Sequence, residues 1–128
     1  MLSPFNPNKT RTVVCPFDTS EPQATFEICE TLSYGQRCEL KDMMLGGDAT
    51  EEAAKKNLFQ KLGERNKTII RYGVKAWNNV ECGTTMDELI DALALIPTEM
   101  KEYETALDWL ADEIWKRSHV SDEDKKKL

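Results

Sequence analysis

One short pattern opens each of three stretches with helical spacing: a hydroxyl or carboxylate side chain followed three residues later by Glu or Gln. It appears as Ser33…Gln36, Asp48…Glu51 and Thr85…Glu88. Such a pair satisfies backbone N–H groups that the first turn of a helix leaves unbonded, so each marks a helix start. Glycines mark the stops, because they tolerate the left-handed conformation that closes a helix. The first helix is expected from Ser33 through Leu40, Met43 and Met44 to Gly46-Gly47, and the second from Asp48 to Gly73. Within the second, Ala54, Leu58, Leu62, Ile69 and Ile70 fall near helical spacing. Gly63 costs about 1 kcal/mol relative to Ala and either weakens this helix or breaks it in two. Thr85 opens a short helix, Met86–Leu95, which turns Leu89, Ile90 and Leu93 inward and ends at Pro97. A last helix is expected after Thr98. Met100, Tyr103, Leu107, Leu110 and Ile114 advance there by alternating steps of three and four as one apolar stripe, with Trp109 and Trp115 beside it or off it.

Before the first helix the period changes. Thr10–Cys15 is rich in β-branched residues, and Ala24–Glu30 alternates, with Phe26 and Ile28 on one side and Glu27 and Cys29 on the other. The turn-rich link between them holds Pro16 and Pro22, so the pair predicts an antiparallel hairpin. A lone hairpin is marginal in water, and its Phe26/Ile28 face must pack on the helices. Val74, Trp77 and Val80 recur every third residue between Gly73 and Gly83, which predicts a connector pinned to the core by large side chains. The expected fold class is therefore α+β and predominantly helical, an N-terminal β-hairpin packed on four to five helices. Residues 10–118 form a single domain. An extended arm, 1–9, precedes it, where Pro4 and Pro7 forbid regular helix, and a polar tail, 119–128, follows.

The length of 128 residues suits one domain with a real core. The net charge of −6 argues against binding the phosphate backbone of nucleic acids, which needs clustered Lys and Arg. Lys55, Lys56, Lys61, Arg65, Lys67 and Arg71 do line the second helix, yet cations on a helix surface are ordinary solubility residues. Residues 49–72 carry an excess of base and 73–100 an excess of acid, a pattern that suits self-complementary faces or a partner of mixed charge. No apolar run of about 18 residues is present to span a membrane. Met1–Thr12 lacks the apolar stretch of a signal peptide. A reducing cytoplasm with four free thiols, Cys15, Cys29, Cys38 and Cys82, is the expectation that follows.

The motifs of catalysis and cofactor binding are missing. The single histidine, His119, sits in a polar stretch and reads as a helix-end cation. The cysteines are spaced 14, 9 and 44 residues apart, unlike the close pairs of structural zinc, and neither HExxH nor an EF-hand loop occurs. Glycine-rich phosphate loops are absent as well. Asp108, Asp112 and Glu113 read as solvated charges on a helix surface. The expectation is a protein that is not an enzyme, takes no cofactor or metal, and works by binding other proteins. Trp77, Trp109 and Trp115, which lie outside the main apolar stripes, are the candidate protein-binding residues.

Four stretches carry a family resemblance. TFEICETLSYGQRCEL, IIRYGVKAWNNVE with its Gly73-Val74…Trp77…Val80 spacing, TMDELIDALALIPTEM, and the closing KRSHVSDEDKKKL together resemble the tail assembly chaperones of long-tailed bacteriophages. The likeness spans about Ala24 to Leu128. It implies a mostly helical fold with a small β element, and a role in coating the tape-measure protein and recruiting tail tube subunits during tail assembly. It also implies residence in the host cell cytoplasm, absence from the mature virion, and self-association. The family often makes a longer product by ribosomal slippage, with which Lys125–Lys127 is compatible. The Pro-rich arm and the four cysteines have no counterpart in it. Two other readings share the composition: a small structural virion protein of the head or tail junction, and a host-directed inhibitor acting by surface complementarity.

Overall fold

The computed structural model describes residues 9–45 and 51–118. The arm before Lys9, the Gly46-Gly47 stop, the Asp48 cap, His119 and the tail lie outside the described residues. Seven elements follow in order: β1 (Thr10–Val14), β2 (Thr25–Cys29), α1 (Tyr34–Leu45), α2 (Glu51–Gly73), β3 (Val74–Asn78), α3 (Met86–Leu95) and α4 (Ala106–Arg117). The fold is mixed α+β.

The hairpin forms as expected, with Val13 opposite Phe26 and Arg11 opposite Ile28. It gains a third strand where the spacing of Val74, Trp77 and Val80 predicts a connector. β3 pairs antiparallel with β2, giving the sheet order β1-β2-β3 with α1 and α2 inserted before the last strand. The period-three spacing of Val74 and Trp77 has a specific cause. The register shifts between Glu27 and Ile28, so that Trp77 faces Phe26 and Ala76 faces Glu27, while Val74 faces Ile28. Lys75 is thus the extra residue of a bulge, and a bulge places on one face two residues that an unbroken strand would send to opposite faces. Val13, Phe26, Ile28 and Val74 are buried, with Trp77 packed beside them. Thr12, Val14 and Glu27 point out on the other face.

The helices start where their caps place them. Gln36 N–H donates to Ser33 Oγ at 3.1 Å and Ser33 N–H to Gln36 Oε1 at 3.0 Å. Thr85 and Glu88 close the same reciprocal box at α3, whose buried face is Leu89, Ile90 and Leu93. α2 runs unbroken through Gly63. α4 starts later than the apolar stripe suggests. Thr105 caps it, accepting from Asp108 N–H, and a bridge between Pro97 and Thr105 closes the loop before it. Met100 and Tyr103 therefore belong to that loop and not to the helix, although both still pack on the core. A threonine able to accept an N–H bond three residues on outweighs a coincidental continuation of the spacing.

One core draws on every element, from Val13 through Leu40, Ile69, Ile70 and Leu93 to Ile114. α2 crosses α4 so closely that a Cβ on Gly73 would stand 2.8 Å from two carbons of Ile114. Ser118, buried just past α4, accepts from Leu32 N–H at 2.8 Å and donates to Ile114 C=O at 2.9 Å. Arg37 of α1 donates to its carbonyl at 2.8 Å. These bonds lock the end of α4 to the entry of α1.

Candidate protein-binding surface

The three tryptophans do not share one surface. Trp109 lies on the inward side of α4 and is only 3% exposed. Phe17 meets it edge-on at 5.4 Å between ring centroids, and Phe26 at 6.2 Å. It is a core residue in this fold, because α4 turns its 107, 110, 111 and 114 positions inward and the ring follows them. Trp77 is half-buried on β3, across the ladder from Phe26. Phe26 thus neighbours both, Trp77 across the ladder and Trp109 by an edge-on ring contact. Trp115 is half-buried on another side of α4, with the Arg65 guanidinium of α2 5.7 Å from its ring centroid. Cation–π contacts of this kind contribute on the order of 0.5–1 kcal/mol at such sites.

Arg65 also borders a cleft of about 710 Å³ between α2, the loop before α4, and α4 itself, whose lining does not include Trp115. Two bonded groups line it. Asn66, 8% exposed, donates from Nδ2 to Asp108 Oδ1 at 2.9 Å and accepts from Arg65. Tyr103 donates its hydroxyl proton to Asp112, and Lys116 Nζ reaches Tyr103 Oη at 3.0 Å and Asp112 at 2.9 Å. Asp108, Asp112 and Glu113, read from sequence as solvated charges, are each held in a bond, Glu113 by Arg117 at 3.4 Å. The i,i+4 spacing of Asp112 and Lys116 was a legible sign of this. Nothing in the sequence placed Asn66 against Asp108, 42 positions away.

The electrostatics of the cleft hold protons in place. The bond to the Asp112 carboxylate pushes the Tyr103 phenol up from its ordinary value. Bonds to Tyr103 and then Asp112 raise the Lys116 ammonium too. A general base or an amine nucleophile needs the opposite shift toward neutral pH; the bonds between these groups tie the loop to the helix. Burial likewise pushes the Cys15 and Cys29 thiols up, the state of an inert core thiol. All four cysteines are free, Cys38 and Cys82 being half-buried. Among the described residues no group of three or more His, Cys, Asp or Glu is placed to hold a metal ion, and no helix is long and apolar enough to cross a membrane.

The basic and acidic segments of the sequence meet within the chain. Arg71 at the end of α2 pairs with Asp87 at the start of α3 at 3.3 Å, so part of the charge asymmetry is spent on packing two helices of one molecule. Compared with protein-family models, curated proteins and solved structures, the chain has no match.

Proposed function

We propose that the chain acts by binding other proteins and not by catalysis, as an assembly chaperone of bacteriophage tails. In this reading it holds the tape-measure protein in the host cytoplasm and brings tail tube subunits to it. The observation that carries the proposal is the Gly73-Val74…Trp77…Val80 stretch with its flanking patterns, the part of the sequence that most resembles that family. The two titratable groups of the large cleft that shift do so away from reactivity, which favours a surface for contact over a site for chemistry. A tape-measure protein is long and helical, with apolar faces uncovered until the tube encloses them, and such a client suits a small acidic domain present in many copies.

The test is co-expression with the very long helical reading frame expected downstream of this gene. Co-purification of the two, and aggregation of the long protein when expressed alone, is the expected result. A gene neighbourhood with no tail genes overturns the reading. Mass spectrometry of purified particles separates it from a structural role: a stoichiometric amount of the chain in finished virions would replace the chaperone reading with that of a virion component.

A further inference from the structure

The two edges of the sheet differ in kind. On the β3 side, the bulge at Lys75 interrupts the ladder and places an exposed cation in the strand, and Asn79 leaves it in the left-handed conformation at φ 62°. Bulges and lysines are the devices by which sheets discourage a further strand from pairing. β1 has neither. Its sequence is Thr-Arg-Thr-Val-Val, four of five residues β-branched, with Pro16 only beyond its end.

The ladder fixes which backbone groups of β1 are spoken for. Cys15 N–H donates to Ala24 C=O at 2.9 Å, and Glu30 N–H to Lys9 C=O at 3.0 Å. With the 13↔26 and 11↔28 pairing between them, residues 9, 11, 13 and 15 turn their N–H and C=O toward β2. The backbone groups of Thr10, Thr12 and Val14 therefore point outward, and among the described residues no backbone partner meets them. Val14 is 48% exposed on this edge.

We propose that this edge pairs with the same edge of a second copy, antiparallel about Thr12, to make a continuous six-stranded sheet. The strand is complementary to itself in that register. Thr12 exchanges both backbone bonds with its mate, and Thr10 faces Val14 of the other copy. Arg11, the one charged residue of β1, faces Val13 and not another Arg11. No like charges stand opposite each other, whereas a like pair directly opposite destabilises a ladder. The contact is isologous and closes as a dimer, leaving the guarded β3 edges outermost. The inference rests on the sheet alone; self-association that the β1 variants leave unchanged would overturn it and leave the chaperone reading, which implies self-association through no particular surface, standing.

Sedimentation equilibrium of the full chain across the micromolar to millimolar range tests it. A monomer–dimer equilibrium is expected, tightening as salt screens the −6 charge of each copy. Thr12→Pro removes only an outward N–H, so it spares the bonds to β2 and should weaken the dimer about tenfold or more, because both bonds that Thr12 exchanges with its mate lose their donor. Thr12→Lys and Thr12→Glu keep the backbone intact and should each weaken self-pairing a few-fold, while a one-to-one mixture of the two should restore it. Circular dichroism of each variant checks the fold. A monomer throughout, a dimer unchanged by all three variants, or no recovery in the mixture overturns the proposal. A chain that stays monomeric but takes an added strand-forming peptide along this edge overturns it too, and assigns the edge to a different partner.

Discussion

Two glycines separate what a backbone permits from what its neighbours permit. At Gly63 a Cβ would enter open space, so the residue weakens α2 for no packing reason. Gly63→Ala should raise stability by about 0.5–1 kcal/mol, read as a higher denaturation midpoint at unchanged m. At Gly73 the same methyl meets buried Ile114, and Gly73→Ala should lower stability by about 1–3 kcal/mol. Asp18 is a third single-residue device. Its carboxylate accepts from Ser20 Oγ, from Ser20 N–H and from Ala24 N–H, and these bonds hold its pKa below the ordinary carboxylate value, the Ser20 hydroxyl first. A depressed carboxylate stabilises the fold fully above its unfolded pKa, about 4, and loses that contribution as pH falls through the lower folded value. Thermal melts should therefore show Asp18→Asn less stable than the parent at neutral pH, with the gap closing as the pH drops below about 4.

Among the elements, helix starts were the most legible because a cap is local: Ser33…Gln36 and Thr85…Glu88 each act within four residues. β3 was obscured because its bulge breaks the alternation by which a strand is recognised, and because its partner lies some 50 positions upstream. The start of α4 lies past the position its spacing predicts, because Met100 and Tyr103 keep helical spacing while packing from a loop. The sheet partner of Trp77 and the burial of Trp109 were out of reach for the same reason, since both depend on Phe26, which no local pattern connects to them. The α3 cap has a hidden dependence of its own. A Cβ on Gly83 would fall 1.5 Å from Glu88 Oε2, so any side chain there expels the carboxylate that completes the box. Gly83→Ala and Glu88→Ala should each cost on the order of 0.5–2 kcal/mol. The double variant should cost little more than either alone, a coupling that a double-mutant cycle in urea would measure.

At the scale of the whole molecule, the fold closes through contacts distant in sequence. β2 reaches its second neighbour only after α1 and α2 have intervened, and the bonds around Ser118 join positions 86 residues apart. Ser118→Ala deletes one buried acceptor and orphans the Leu32 N–H, a loss of about 1–3 kcal/mol. Hydrogen exchange should report the change at the entry of α1 as well as at the end of α4, because the hydroxyl serves both. Nothing local in the sequence distinguishes Ser118 from any other polar residue near a helix end, because its partner Leu32 lies 86 positions away.

The clasp at Ser118 also sets how anything attached behind it is carried. Here the chain leaves from a root held by a buried hydroxyl on one side and by a guanidinium on the other. Whatever follows Ser118 therefore starts from an anchored residue beside α1, fixed from two directions at once.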